Sequence, residues 1–373
     1  MFKKVKGFAT REGTERFKNR FETKFAKGHF REAHGLWFSS MGAGSYLGEP
    51  DEETDRLYVS AFKEAVRSGV NVIDSAVNYR CQRSERSIGE ALRDLLDTQE
   101  ISREEILLCT KGGYLPFDQE YPPHPSEYFQ KTYVETGILR PEDLVQGCHA
   151  MTPRYLEDQL ERSLKNLSVE TIDIYYLHNP ETQLAEVGRK EFTRRLQASF
   201  EFLEKKVSEG KIRRYGMASW SGYRNPPESP DHLSLEETVI LAREAGGTSH
   251  HFKVVQLPVN LAMPEAWVLP SQSYGAQRVS FLELAQKLGM IVMASASLLQ
   301  GELARPLPPD FQGLFGNLRK SSQCSLQFVR SCPGITTALV GMKQEEHVRE
   351  NLETALVPSL SPERLVQLFQ KTG

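Results

Sequence analysis

The sequence predicts an α/β protein folded as one (β/α)8 TIM barrel, with a long insertion after the third strand and an N-terminal extension. Eight short, apolar, β-branched runs alternate with segments of helical periodicity. Nearly all are separated by the length of one strand–helix unit. No G-x-G-x-x-G follows the first run, where Gly42-Ala43-Gly44 continues into Ser45-Tyr46-Leu47-Gly48. That argues against a Rossmann sheet and favours a closed barrel.

The runs lie at 36–41 (LWFSSM), 70–74 (VNVID), 105–111 (EILLCTK) and 171–178 (TIDIYYLH), then at 211–217 (KIRRYGM), 252–257 (FKVVQL), 289–295 (GMIVMAS) and 334–341 (GITTALVG). Near-continuous apolar strands are what a parallel sheet covered by helices requires. From strand ends near 42, 74, 111, 178, 217, 256, 294 and 340, the gaps are 32, 37, 67, 39, 39, 38 and 46. The gap of 67 holds residues 114–151, rich in Pro, Tyr and His and without a clear period, which reads as the insertion. Between the runs, 51–68 places Leu57, Ala61, Phe62, Ala65 and Val66 on one helical face before Gly69. Thr152-Pro153 reads as an N-cap with proline in the first turn, opening a helix with the stripe Leu156, Leu160, Leu164 and Leu167. Ser361-Pro362 repeats that start for a last helix bearing Leu365 and Leu368. The expected division is a basic extension over 1–35 and one barrel domain over 36–373, with the insertion at 114–151.

With 373 residues, 46 basic and 49 acidic side chains and a net charge of −3, the chain reads as soluble and globular, not collagen-like, disordered or disulfide-scaffolded. No apolar stretch is long enough for a spanning helix, and MFKKVKGFAT lacks the apolar core of a signal peptide. The expectation is a cytoplasmic protein without a membrane or nucleic-acid partner. Residues 1–31 carry ten Lys or Arg against three Glu, which reads as a solvated or loosely packed arm. The five cysteines form no CxxC pair and stand at no zinc-ligand spacing, so free thiols in a reducing compartment are expected.

In a barrel the chemistry gathers at the C-terminal ends of the strands. Asp74, Lys111 and His178 each close a predicted strand, and Tyr79 follows Asp74 by five residues. Singly, each has an ordinary explanation: a cap, a rim charge, a satisfied polar group, a packed aromatic. Together they fit proton donation to a carbonyl oxygen as hydride reaches its carbon. A phenol keeps its proton at neutral pH but donates it poorly, and a neighbouring Lys cation favours the phenolate. Asp74 would orient Lys111, and neutral His178 would steer the carbonyl oxygen. No metal is needed.

DSAVNY with Gly89-Glu90-Ala91-Leu92 downstream, then CTKGG, IDIYYLHNP, GKIRRYGMAS, VVQLPVN and the closing ENL resemble the aldo-keto reductases. The resemblance runs in order over roughly residues 36–358 and implies a nicotinamide cofactor bound without a Rossmann domain. It makes Tyr79 the general acid/base, supported by Asp74, Lys111 and His178. It places the nicotinamide carboxamide near Gln256 and the turn Ala218-Ser219, where the family usually has Ser-Asn. Ser295 stands where many members carry a stacking Tyr. Leu298, Gln300 and Gly301 match the loop over the pyrophosphate, and Glu350 and Asn351 match contacts to adenine. The family's cations for a 2′-phosphate fall on Gly341 and His347, with Lys343 or Arg349 as substitutes. NADP is therefore the expected cofactor, with NAD as the alternative.

The expected partner is a small carbonyl or alcohol substrate, contacted by Tyr46 and Trp220. Tyr121, Tyr128, Phe129 and Tyr133 of the insertion form either an apolar wall over the mouth or a private cluster. Substrate identity, direction and oligomeric state are not legible. Two other readings stay open: a nicotinamide-binding regulatory subunit with little or no turnover, and a barrel lyase using Lys111 as a Schiff-base nucleophile.

Overall fold

A computed structural model describes residues 4–308 and 313–370. Eight parallel strands close a barrel: β3 (Met41–Gly44), β4 (Val72–Asp74), β5 (Leu107–Gly112), β6 (Ile172–His178), β7 (Ile212–Ala218), β8 (Phe252–Pro258), β11 (Ile291–Ser295) and β12 (Thr337–Gly341). The sheet closes where β12 pairs with β3, Ala338 opposite Met41 and Gly341 opposite Gly44. Outside the barrel, β1 (Phe30–Ala33) and β2 (Leu36–Ser39) form an antiparallel hairpin, as do β9 (Gln272–Tyr274) and β10 (Gln277–Val279).

The first strand corrects the sequence reading. LWFSSM is not the barrel strand; its first four residues are β2, and the barrel begins at Met41 with the plain segment MGAG. Gly42 faces a crowded interior, where a Cβ would stand 2.7 Å from a Leu339 methyl carbon. Apolar content alone cannot separate a barrel strand from a hairpin that stoppers the barrel's base.

Two apolar layers result. Inside the barrel, Val72, Leu107, Cys109, Ile174, Tyr176 and Met293 pack together, and Leu36, Phe38 and Ala9 close the base beneath them. Outside, strands and helices share a larger core containing the stripe Leu156, Leu160, Leu164 and Leu167, each buried. Removing one such leucine costs about 2–5 kcal/mol. Helix Glu52–Arg67 is capped by Asp51, which accepts from the Thr54 N–H at 2.7 Å. Helix Pro153–Asn166 begins after Thr152 as the sequence signals, although the Thr152 hydroxyl makes no cap bond. The last helix, Pro362–Gln370, buries Leu365 and Leu368. All five cysteines are free thiols.

The basic arm is not loose. Met1–Lys3 lie outside the described residues, but Val5 donates to the Ser168 carbonyl at 2.7 Å and Ala9 to Asp173 Oδ1 at 2.6 Å. Helix Arg11–Phe21 buries Phe17 and Phe21, and its arginines pair outward: Arg16 and Arg20 both reach Glu105. The charge sits on one face of a helix whose other face is core. The insertion also packs on its own terms. Tyr133, Leu139, Ala150 and Tyr155 form a separate cluster, with Tyr128 and Phe129 against it. Tyr128, Phe129 and Tyr133 therefore stabilise the insertion, whereas Tyr121 stays outside the cluster, exposed and edge-on to Phe117.

Candidate active site

Strand alternation explains which side chains reach the barrel mouth. Successive residues point to opposite faces, so a strand that places one residue inside places the second-next inside as well. Val72 predicts Asp74, Cys109 predicts Lys111, Tyr176 predicts His178, Val254 predicts Gln256 and Met293 predicts Ser295. Asp74, Lys111, His178 and Ser295 are each the last inward residue of their strands.

At that rim the buried Lys111 Nζ donates to Asp74 Oδ2 at 2.6 Å and to the Ser75 carbonyl at 2.7 Å. The other Asp74 oxygen accepts from Gln256 Nε2 at 2.9 Å. Burial works against the ammonium, but Asp74 and Tyr79 more than reverse it, so the Lys111 pKa lies above its ordinary value. The same Nζ lies 5.0 Å from the Tyr79 ring centroid. Burial raises the Tyr79 pKa and Lys111 pulls it back without cancelling the rise, so the phenol stays protonated. Lys111 thus favours the phenolate as expected, against the larger effect of burial.

His178 meets Tyr79 edge-on, centroids 5.8 Å apart, while Tyr46 meets it from another side at 5.0 Å. Burial, then the charges of Lys111 and His149, hold the imidazole well below its ordinary pKa, so it is neutral. Its Nδ1 is buried without a partner among the described residues. A lone acceptor is cheaper to bury than a lone donor, so the proton is assigned to Nε2. Behind it, His149 Nε2 donates to the His178 carbonyl at 2.7 Å while Gln183 Nε2 donates to His149 Nδ1 at 2.8 Å. Tyr114 packs between the two imidazoles, at 5.0 and 5.1 Å. Gly113 permits this arrangement: at φ +152°, a Cβ would stand 2.8 Å from both His149 Nε2 and the His178 oxygen.

The chain leaving Tyr79 is strained. Arg80, Cys81 and Gln82 are consecutive non-glycine residues in the left-handed region, at φ +48°, +54° and +69°. Such conformations cost about 1–3 kcal/mol each and persist where surroundings enforce them. Here Arg80 bonds the Glu49 carbonyl and Asp55, and Gln82 bonds the Phe117 carbonyl. The bonds hold the start of helix Arg83–Asp97, and Tyr79 with it, in one place.

One cavity of about 1380 Å³ runs across this rim. Tyr46, Asp74, Tyr79, His178, Trp220 and Gln256 line it, whereas Lys111 lies beneath and does not. Ser219, Ser295, Leu298, Gln300, Gly301, Gly341, Lys343, His347, Glu350 and Asn351 line it as well. The sequence-chosen residues therefore share a single groove. Two of them are already engaged: Gln256 donates to Asp74, and the Ser219 hydroxyl donates to Glu181 Oε1 at 2.9 Å. That oxygen also accepts from the N–H groups of Trp220 and Ser221, so the buried Glu181 fixes the turn after β7.

The groove fits an extended dinucleotide. Ala296, Leu299, Gln300 and Gly301 all have positive φ, +51°, +45°, +55° and +97°, bending the backbone into the kind of turn whose N–H groups cradle anions. Beyond it, Arg319, Lys320, Lys343 and His347 gather near Glu350 and Asn351. Glu350 accepts from Lys320 at 2.8 Å and from the Ser322 hydroxyl at 2.6 Å. Arg349 is not part of the groove; it pairs with Glu64 and Glu345 on the outer helix face. Tyr114, Glu181, Arg319 and Lys320 escaped the sequence reading. Tyr114 lies three residues beyond Lys111, a signal that was there to use; the other three carry no local pattern.

A family model described as the aldo/keto reductase family matches residues 40–225. A probable aldo-keto reductase of soybean is 27% identical over 190 residues, and the match spans 51% of this chain but 42% of that relative. An uncharacterized oxidoreductase of Bacillus subtilis is 23% identical over 84% of this chain and 87% of its own. Among solved structures, an aldo/keto reductase from Klebsiella pneumoniae in complex with NADP and acetate has the same fold, with a TM-score of 0.58 at 22% identity, covering 93% of this chain and 95% of that one. The matched region holds Asp74, Tyr79, Lys111 and His178, and the chain belongs to the aldo/keto reductase family.

Proposed function

We propose that this protein is an NADP-dependent oxidoreductase that interconverts a small carbonyl compound and its alcohol, with Tyr79 as general acid and base. The observation that carries the reading is the buried Lys111 ammonium, bonded to Asp74 at 2.6 Å and lying 5.0 Å from the Tyr79 ring at the cavity floor. A bound nicotinamide would supply or accept the hydride. The chain supplies the rest. Tyr79, kept protonated by burial, gives its proton to the carbonyl oxygen, and Lys111 steadies the phenolate left behind. The His178 Nε2–H is available to hydrogen-bond the same oxygen. In the alcohol-to-carbonyl direction Tyr79 takes the proton back.

Glu350, Asn351 and the turn through Gly301 would hold the dinucleotide, and Lys320, Lys343 and Arg319 favour a 2′-phosphate over a bare ribose. Tyr46 and Trp220, both exposed at the mouth, would meet substrate. Lys111 is too buried and too firmly protonated for a Schiff-base nucleophile, which removes support from the lyase reading. The regulatory-subunit reading rests on Ser295, which lacks the stacking ring usual in the family, and on the basic arm, which packs against the barrel through Val5 and Ala9.

Tyr79→Phe tests the proposal. Turnover of a carbonyl panel with NADPH should fall by about 10²–10⁴, the range of general acid catalysis, while NADPH affinity stays within threefold. A wild-type protein that binds NADPH but turns over nothing would favour the regulatory subunit. Undiminished turnover in Tyr79→Phe would sink the assignment of Tyr79.

A further inference from the structure

The face opposite the active site carries a second cavity, of about 170 Å³. It opens at the base of the barrel between the tip of the β1–β2 hairpin, the start of β8 and the end of helix Leu235–Gly246. Its polar lining is His34, Arg243, Thr248, His250 and Lys253. No carboxylate lines it. The nearest, Glu204, is committed to the His251 N–H at 2.6 Å and to His251 Nδ1 at 2.8 Å.

Among the described residues, neither Arg243 nor Lys253 has an ion-pair partner. The chain therefore brings two unneutralised cations to one small concavity, with the half-buried Arg214 behind them bonded to the His34 carbonyl at 3.3 Å. His250 is 6% exposed, and its Nδ1 is buried with no hydrogen-bond partner. As with His178, the buried unpartnered nitrogen is the acceptor, so the proton is assigned to Nε2, the more accessible ring nitrogen. Cations converging on a polar concavity repel one another unless an anion sits between them, and the depressed pKa of Lys253 reflects burial first, with Glu204 raising it and Arg214 and Arg243 lowering it further.

We propose that this basal cavity is a binding site for a phosphate-type oxyanion, held by Arg243, Lys253, His250 and the Thr248 hydroxyl. The cavity admits a tetrahedral oxyanion or the phosphoryl end of a small ester and excludes a nucleotide.

Thermal unfolding in potassium phosphate, against potassium chloride at matched ionic strength, reads the site, with glycerol 3-phosphate as the ester arm. The wild type should show a saturable rise in Tm with phosphate. Arg243→Gln should weaken the apparent affinity at least tenfold, and R243Q/K253M should abolish the effect. Lys343→Ala, in the other cavity, should leave it unchanged, which separates this site from the cofactor groove. A midpoint for the ester several-fold below that for phosphate would identify a phosphomonoester as the occupant; equal midpoints would identify free phosphate. No saturable rise over chloride, or a rise kept by R243Q/K253M and lost in Lys343→Ala, overturns the proposal. The variants change surface or half-buried cations, and far-UV circular dichroism in chloride reports that they fold.

Discussion

His149 should make the protein sensitive to acid, and the size of the effect can be worked from its surroundings. It lies buried with both ring nitrogens engaged, Nε2 on the His178 carbonyl and Nδ1 on Gln183, and burial lowers its pKa from 6.5 to about 4. The folded state thus prefers the neutral ring. The stability this contributes is fully present above pH 6.5 and is lost as pH falls through 6.5 toward 4. Between pH 8 and pH 5 the unfolded imidazole takes up its proton and the folded one stays neutral, which costs about 2 kcal/mol, roughly 30-fold in the folding equilibrium. Other groups titrate over the same interval, including His29, whose pKa burial lowers to about 3. The measurement is therefore a difference of differences. Urea unfolding of wild type and His149→Gln, followed by circular dichroism at pH 8 and pH 5, should show the wild type losing about 2 kcal/mol more than the variant. Glutamine does not titrate and keeps an amide N–H to offer the His178 carbonyl. A difference below about 0.5 kcal/mol would mean that His149 takes up its proton in the folded protein, contradicting the burial that the geometry implies.

Two further outcomes follow from the site. The pH profile of kcat/KM for carbonyl reduction should show no inflection near pH 6.5, because His178 is neutral throughout; loss of rate is expected only on the alkaline side, as Tyr79 ionises above its ordinary value. Half-loss of activity between pH 6 and 7 would restore an imidazolium to the mechanism. Lys343→Ala and Lys320→Ala should each weaken NADPH binding about tenfold, in line with about 1.5–3 kcal/mol for a hydrogen bond to a charged group, while NADH changes less than threefold. Equal losses for both nucleotides, measured by quenching of tryptophan fluorescence, would remove these lysines from the 2′-phosphate.

The barrel was legible because its strands are apolar throughout and recur at the length of one unit; that regularity survives without any single motif. Its first strand was not. MGAG has little side chain to announce itself, whereas LWFS next to it is a strand of a different sheet with a stronger pattern. Asp74, Lys111 and His178 could be chosen because each closes an apolar run, with Tyr79 five residues after the first, and strand alternation then places those three on the inner face. Local pattern fails where a residue's partner is distant in sequence. Arg349 and Lys320 are both plain surface cations in the sequence. Glu64, 285 residues before Arg349, draws it to the outside, while Glu350 keeps Lys320 at the groove. Glu181 reads as one residue after a proline and becomes a fixed point only once β6 and β7 lie side by side. The insertion's aromatics show the same limit, since composition cannot tell an aromatic cluster that serves a ligand from one that serves itself.

The stoppered base has a consequence for how the chain comes to be folded. Arg31 reaches across to the Arg330 carbonyl and, at 2.6 Å, to the Ile335 carbonyl, 304 residues later. Ala26 bonds the Ala355 carbonyl, and Val5 bonds Ser168 and Glu170. The segment ahead of the barrel is therefore tied in part to segments made far later. At about 5–20 residues per second, Ile335 follows Arg31 by about 15–60 s. Through that interval Arg31 waits for the carbonyls that hold it. The barrel's cork is made before the barrel and fastened after it, and nascent chains stalled before the final strand should carry the hairpin unfastened on that side and more open to proteolysis.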